Sequence, residues 1–266
     1  MSGSSGPAAL KDEARYGRSQ ALVSQARRLG AIPTAVVYPC SRDALAGALE
    51  AQAAGLIEPV LIGPEGRIRE IAEREGYDLA ECAIENVADP LDAAHLAAES
   101  ARAGKLELLM KGSLHTDELM SVVVSREAAL RTSRRISHVF VMDVPQHERL
   151  LLISDAAVNI APSLAVKIDI VRNALDVAHA IDIPEPNVAV LSAVENVNPD
   201  IPSTGDAALL AEMAQRGEFG DILKPLDKYK AMTTLFSNID SQAPIGPVHA
   251  LSPGTWLSCA RPAISQ

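Results

Sequence analysis

The sequence has few aromatic residues and few cysteines, and both shortages exclude classes of protein. Phe, Trp and Tyr make up 3% of the 266 residues, with a single tryptophan. A stacking platform for single-stranded nucleic acid needs more aromatic faces than this. Cys40, Cys82 and Cys259 are far apart and form no CxxC pair, so neither a disulfide framework nor a zinc site is expected. This cysteine usage is typical of a reducing compartment, and we expect a cytoplasmic protein.

Long apolar runs and a positive net charge are also missing. No stretch of 18 apolar residues occurs, so no membrane span is predicted. The first residues lack the apolar segment of a signal peptide. The formal net charge of −10 argues against nucleic-acid or acidic-membrane partners. The sequence has no GxGxxG, P-loop or GxSxG motif and no metal-ligand spacing, so we expect no bound metal and no cofactor of those classes.

Short apolar runs alternate with longer Ala-rich segments. The runs 33–38, 58–62, 106–110 and 187–192 predict β-strands. Helices are predicted over 17–29, 42–55, 64–75, 91–103, 115–129 and 163–181. Alternation of this kind predicts an α/β fold with a mainly parallel sheet. Residues 137–154 break the rhythm and predict an antiparallel hairpin.

The hairpin and a later change in composition divide the chain into four parts. We expect a flexible tail over 1–14, a first α/β domain over 15–145 and a partial second α/β domain over 146–217. The remaining part, 218–266, loses the alternation and is expected to be a divergent tail.

A strand running into Lys111-Gly112-Ser113, with a helix predicted to begin near Thr116, is the first candidate site. Glycine allows close backbone approach, helix-start N–H groups attract anions, and Lys111 adds a full charge, so the turn suits phosphate. A structural explanation is also open, because Lys-Gly after a strand is commonplace.

A basic segment follows. Arg131 lies close to Arg134 and Arg135, and guanidinium groups suit bidentate phosphate binding. His138 beside Ser137 is a candidate general base. The alternatives are an exposed basic turn that balances local carboxylates and a structural histidine.

Two further segments carry polar groups beside small residues. Asp155 and Asn159 follow an apolar run and could position a polar substrate or simply cap the next helix. Ser203 and Asp206 predict a capping-box-like helix start with Thr204 in its first turn, which is also an anion seat.

These segments, in order, resemble the phosphate acetyl/butyryl transferase family. The resemblance covers about residues 15–216 and rests on MKGSLHTDELM (110–120), LRTSRRISHVFVMDVP (130–145), LLISDAAVNIAPSLAVKIDIVRNALDVAH (151–179) and VAVLSAVENVNPDIPSTGDAALLAEM (188–213). The residues of the first segment most resemble those of the butyryltransferase-like, hydratase-fused branch of the family.

The resemblance implies reversible transfer of an acetyl or butyryl group between coenzyme A and inorganic phosphate. It also implies two α/β domains akin to isocitrate and isopropylmalate dehydrogenases, the second being incomplete here, and a homodimer. Its partners would be the small molecules acyl-CoA, phosphate and acyl phosphate. Coenzyme A would be a substrate, and neither a metal nor another cofactor is implied.

Carried over residue by residue, the resemblance implies catalytic and binding groups. Ser137, His138 and Asp155 match segments expected to be catalytic. The positions that match phosphate- or substrate-binding segments are Lys111, Gly112, Ser113, Thr116, Arg131, Asn159, Ser203 and Thr204.

After about residue 217 the family's closing segments, including a Ser-Arg element, are not found. An alternative is therefore a non-catalytic remnant that retains at most phosphate or coenzyme A binding. A dehydrogenase of related fold is a third hypothesis, and the missing dinucleotide fingerprint argues against it.

Overall fold

The computed structural model describes residues 17–144, 147, 149–156, 158–192, 194, 196–220, 224–225 and 256–258. The chain divides into two compact units. We call residues 20–133 with 247–266 the sheet unit, and residues 1–19 with 134–246 the hairpin unit. The domain limits predicted from the sequence stay predictions. The predicted tail 1–14 and most of the predicted tail 218–266 lie outside the described residues.

Helices and strands alternate from residue 17 to residue 123, as the apolar pattern predicted. In chain order they are α1 (Gly17–Leu29), β1 (Ile32–Val37), α2 (Arg42–Ala53), β2 (Ile57–Gly63), α3 (Glu65–Glu75), β3 (Ala83–Asn86), α4 (Pro90–Arg102), β4 (Leu108–Lys111), α5 (Thr116–Val123), β5 (Val139–Met142), β6 (Leu151–Ser154), α6 (Leu164–Ala180), β7 (Asn187–Val188), α7 (Pro202–Gln215), β8 (Lys224–Pro225) and β9 (Trp256–Ser258).

The sheet unit is built on five strands in the order β3-β2-β1-β4-β9. The first four are parallel, with Val36 of β1 opposite both Leu61 of β2 and Met110 of β4. β9 pairs antiparallel with β4 at the edge. This arrangement confirms the predicted α/β class with a mainly parallel sheet.

Both faces of the sheet are covered by helices, because successive residues of each strand point to opposite sides. On one side, Val36 and Leu61 pack with buried residues of α2 and α3. On the other side, Ala35 and Val37 pack with buried residues of α4 and α5. The strands therefore read as nearly continuous apolar runs, which is typical of a parallel sheet buried on both faces.

The fully buried residues with which helix α4 lies against the sheet are all alanines. Ala93, Ala94, Ala97 and Ala98 are each at most 1% exposed. Such small side chains let a helix approach a sheet closely, so the core needs few aromatic residues. The Asp89 carboxylate accepts hydrogen bonds from the N–H groups of the first turn, as the Asp-Pro start predicted.

The hairpin unit contains the predicted antiparallel pair. β5 and β6 are in register from Val139 opposite Ser154 to Met142 opposite Leu151. Helix α6 follows and confirms the prediction over 163–181; its Leu175 and Ala178 are buried.

Two local predictions were wrong in extent, and one strand was missed. Helix α5 ends at Val123, where a run of β-branched valines disfavours further helix. The strand predicted over 187–192 is limited to Asn187–Val188, since its partner β8 ends at Pro225, which has no N–H for the ladder. β3 was not predicted, because AIEN carries no clear alternation and its residues are largely exposed.

The hairpin unit also holds the start of α1. The Asp143 carboxylate, 3% exposed, accepts the backbone N–H groups of Arg18 and Ser19 at 3.1 and 2.9 Å. It also pairs with the Arg18 guanidinium at 2.7 Å. Burial acts to raise the pKa of Asp143, but the donors of Ser19 and Arg18 outweigh it and lower the pKa overall.

We expect Asp143→Asn to destabilise the start of α1 by about 1 to 2 kcal/mol at neutral pH. Because the folded pKa of Asp143 is depressed, its contribution is complete above the unfolded value of about 4 and is lost as the pH falls through the folded pKa. Amide hydrogen exchange at Arg18 and Ser19 measures this loss. The variant should lack that acid dependence, and equal protection in both proteins at neutral pH would contradict the assignment.

Candidate functional site

The first candidate group lies where the sheet reverses its winding. β1 continues into α2 on one face, whereas the adjacent β4 continues into α5 on the other face. In open α/β sheets ligands bind at this reversal, outside the carboxyl ends of the strands. Lys111 is the last residue of β4, so Lys111, Gly112 and Ser113 stand at this position in the sheet unit.

Backbone hydrogen bonds fix the Lys-Gly turn to the end of β1. Gly112 N–H donates to the Val37 carbonyl and Ser113 N–H to the Tyr38 carbonyl, both at 2.8 Å. A Cβ on Gly112 would lie 2.5 Å from both carbonyl oxygens, so only glycine fits. Tyr38 itself has a φ of 56°, which is uncommon for a residue with a side chain.

Lys111 is folded back over its own loop. Its Nζ donates to the carbonyls of Gly112 and Leu114, each at 3.1 Å. An ammonium group has three donors, so one remains for a ligand. The side chain is half-buried, which strengthens its field at the turn.

The start of α5 is less suited to an anion than the sequence suggested. The helix begins at Thr116, as predicted, but Glu118 accepts the His115 N–H at 2.7 Å and Asp117 adds a second carboxylate to the first turn. The positive charge of this loop therefore comes from Lys111. Arg131, after α5, is exposed and could add a second cation.

Cys40, which follows β1, borders a shallow cavity. The cavity of about 270 Å³ is lined by Cys40, Ser41, Arg67, Glu70, Ile71 and Arg74. Burial raises the pKa of the Cys40 thiol, although Arg67 acts in the opposite direction. The thiol is therefore protonated at neutral pH and is not an activated nucleophile.

We expect Gly112→Ala to destabilise the protein by more than about 2 kcal/mol, because the new methyl group displaces backbone rather than a movable side chain. Gly66→Ala is the matched control. Gly66 lies in α3 with open space where its Cβ would be, so alanine there should stabilise by up to about 1 kcal/mol. Thermal unfolding of both variants measures the difference, and a neutral Gly112→Ala would refute the close approach.

The second candidate group lies in the hairpin unit, around the turn after β6. Asp155 has a φ of 40°, and its carboxylate accepts the N–H groups of Val158 and Asn159 at 3.1 and 3.2 Å. The Asn159 amide donates in turn to the Ile136 carbonyl at 3.1 Å. Asp155 therefore caps its own turn, and Asn159 ties that turn to the segment before β5.

Helix α6 holds the same segment from another side. The Asp169 carboxylate accepts the Arg135 N–H at 2.9 Å. One turn later, the Asn173 amide donates to the Arg135 carbonyl at 2.9 Å and to Ser137 Oγ at 2.8 Å. Arg134 pairs with Asp176. Part of this basic segment thus balances local carboxylates, as one alternative proposed.

His138 is fixed through both its backbone and its ring. Its carbonyl accepts Ser154 Oγ and the Asp155 N–H at 3.0 and 3.2 Å. The ring meets Phe140 edge-on with 3.9 Å between centroids. Nδ1 is enclosed and has no hydrogen-bond partner among the described residues.

The capping box predicted at Ser203 was wrong. Helix α7 begins one residue earlier, since Pro202 has the fixed φ that suits the first helical position. Ser203 Oγ pairs with Ser192 Oγ at 2.8 Å, and Asp206 pairs with Lys167 of α6 at 2.6 Å. Thr204, 2% exposed, accepts the Asn198 N–H, and its hydroxyl lies within donating distance of the Ile201 and Asn198 carbonyls.

Each unit thus carries its own set of predicted residues. The sheet unit holds Lys111, Gly112, Ser113, Thr116 and Arg131, and the hairpin unit holds Ser137, His138, Asp155, Asn159, Ser203 and Thr204.

Within the hairpin unit, hydrogen bonds connect the Asp155–Asn159 turn with the segment of Ser137 and His138. The roles of these residues stay predictions.

Sequence reasoning missed Asp169, Asn173 and Lys167. Asp169, Asn173 and Asp176 are spaced by four and three residues on α6, so helical periodicity of the polar positions could have shown that they share one face.

No helix in the described part of the chain has both the length and the apolar character needed to cross a bilayer. Among the residues that the structure places, no group of three or more His, Cys, Asp or Glu side chains could hold a metal ion.

Comparison with known proteins decides the family. The model of the family described as phosphate acetyl/butaryl transferase matches residues 82–221, more than half of the chain. The chain belongs to this family. The match confirms the resemblance that the ordered motifs indicated.

Curated relatives carry both acyl names. The chain is 50% identical over 204 residues to the phosphate acetyltransferase of Rhizobium meliloti, covering 76% of this chain and 65% of that protein. It is 39% identical over 184 residues to the phosphate butyryltransferase of Clostridium acetobutylicum, covering 69% and 61%. The chain thus spans less than two thirds of the length of either relative.

Solved structures share the fold. The EutD phosphotransacetylase from Staphylococcus aureus matches with a TM-score of 0.61 and 15% identity, over 80% of this chain and 74% of that one. A branched-chain phosphotransacylase from Enterococcus faecalis V583 matches with a TM-score of 0.58 and 21% identity, over 83% and 77%.

Proposed function

We propose that the protein is a phosphate acyltransferase that moves an acetyl or butyryl group reversibly between coenzyme A and inorganic phosphate. The observation that carries the proposal is the 50% identity over 204 residues with the phosphate acetyltransferase of Rhizobium meliloti. Identity to the phosphate butyryltransferase of Clostridium acetobutylicum is 39%, so the acetyl group is the first substrate to test.

In the proposed reaction the thiolate of coenzyme A attacks the carbonyl carbon of an acyl phosphate. A C–S bond forms, and the bond between the carbonyl carbon and the oxygen that bridges to phosphorus breaks. Its electron pair leaves with the phosphate. Lys111 lies half-buried at the winding reversal with one donor to spare, and it neutralises charge on the phosphoryl group. Arg131 is exposed and supplies a second, bidentate donor.

The hairpin unit carries candidate groups of its own, each a separate part of the proposal. His138, whose Nδ1 is enclosed, is the proposed general base. The Asp155 carboxylate and Asn159 shape the turn that holds the His138 backbone. Ser203 offers a hydroxyl to the substrate, and buried Thr204 fixes the turn that presents it.

The reaction needs no metal, and coenzyme A enters it as a substrate. We also propose a homodimer in the cytoplasm, as the family resemblance implies. The likeness to named acyltransferases supports an active enzyme over a non-catalytic remnant, and it gives no support to the dehydrogenase hypothesis.

Mixing the purified chain with coenzyme A and either acetyl phosphate or butyryl phosphate tests the proposal directly. Formation of the thioester and release of phosphate should be equal in amount and should depend on both substrates. A rate no higher than that without protein, for both acyl phosphates, would reject the enzyme.

Lys111→Gln should lower kcat/KM for acetyl phosphate at least tenfold, because a charged hydrogen bond to phosphate is lost. Lys105→Gln removes the same charge from an exposed position in the same unit and should leave kcat/KM unchanged. Steady-state kinetics with acetyl phosphate as the varied substrate measure both. Equal kcat/KM in the two variants would remove Lys111 from the site.

A further inference from the structure

The hydrogen-bond partners of the Asn173 amide fix its orientation. Its amide contacts the backbone carbonyl of Arg135 at 2.9 Å. A carbonyl oxygen only accepts, so the atom facing it must be Nδ2. The same nitrogen lies 2.8 Å from Ser137 Oγ, so its second N–H donates to the hydroxyl oxygen.

This contact sets the direction of the Ser137 hydroxyl proton. Because the oxygen accepts from Asn173, its own proton must point elsewhere. That proton has no acceptor among the described residues. Ser137 is half-buried, so it can still meet a ligand. An amide nitrogen cannot accept a proton, so Asn173 cannot make Ser137 a nucleophile.

The surroundings of Ser137 favour an anion. The Arg135 guanidinium donates to Asn159 Oδ1 at 3.4 Å and pairs with no carboxylate in the part of the chain that the structure describes. The neighbouring Arg134 is already paired with Asp176. The oriented Ser137 hydroxyl and the Arg135 guanidinium, two residues apart along the chain, are both hydrogen-bond donors of the kind that suits phosphate.

We propose that Asn173 is a positioning residue that holds Ser137 as a hydrogen-bond donor to the phosphate group of the substrate. Taking phosphate as the ligand rests on the proposed function. Asn173 does not touch the substrate; it acts through the direction of one proton.

A double-mutant cycle on the full chain tests the proposal, with inorganic phosphate as the probe and calorimetric titration as the measurement. Ser137→Ala should weaken phosphate binding about tenfold or more, since a hydrogen bond to a charged group is lost. Asn173→Asp should weaken binding similarly at neutral pH, because the new carboxylate accepts the Ser137 proton. The double variant should bind no more weakly than Ser137→Ala alone.

The pH dependence separates positioning from a merely structural role. Relative to the unmodified protein at each pH, the Asn173→Asp deficit should shrink as the pH falls and the new carboxyl becomes a donor again. Ala180→Asp adds the same charge to an exposed position of α6 and should leave phosphate affinity unchanged. Asn173→Leu removes the donor without charge and should cause a smaller, pH-independent loss; it replaces Asn173→Asp in the cycle if that variant does not fold.

Independent, multiplying effects of the two single substitutions, or unchanged affinity in both Asn173 variants, would overturn the proposal. Absence of phosphate binding by the unmodified chain would overturn it as well. Phosphate binding with the predicted cycle but without acyl transfer would support the positioning role and reject the proposed function.

Discussion

The contact on which the sheet unit depends is the backbone approach between the ends of β1 and β4. Val37 and Tyr38 accept the N–H groups of Gly112 and Ser113, so the turn after β4 stays bonded to the end of β1. Because residue 112 has no side chain, the backbone after β4 can approach the backbone at the end of β1, at the point where the sheet reverses its winding. Lys111 is thereby fixed at that edge, and its charge has a defined place before any ligand arrives.

In the hairpin unit the equivalent constraint is a segment held from two sides. Residues 134–138 have no regular secondary structure, yet several of their polar backbone groups are bonded to α6 and to the turn after β6. Polar groups that point inward need such partners. The result is an irregular segment that keeps its side chains in place as a strand would.

Much of the fold could be predicted from local sequence. The apolar run PTAVVY predicts a strand buried on both faces, and Asp89-Pro90 predicts a helix start. Each of these features is determined by a few adjacent residues. The limits of β7 and the pairing of β9 with β4 could not be read this way. They depend on partners far along the chain, Lys224–Pro225 for β7 and Leu108–Met110 for β9.

The candidate site shows the same division. Lys111 and Gly112 were recognisable because the strand, glycine and helix start are contiguous. Asn173 was not recognisable, since its partner Ser137 lies 36 residues away and neither segment carries a sequence signal that predicts the contact. The Ser203 capping box was wrong because Pro202, a stronger start signal, precedes it.

The alanine-lined contact of α4 has a dynamic consequence. The methyl group of alanine is bonded directly to Cα and has no rotamers to exchange. The methyl groups of Ala93, Ala94, Ala97 and Ala98 therefore move only as the helix itself moves against the sheet. Isotope labels on these four methyl groups would therefore report main-chain motion directly. Longer side chains in the same layer would report rotamer exchange as well.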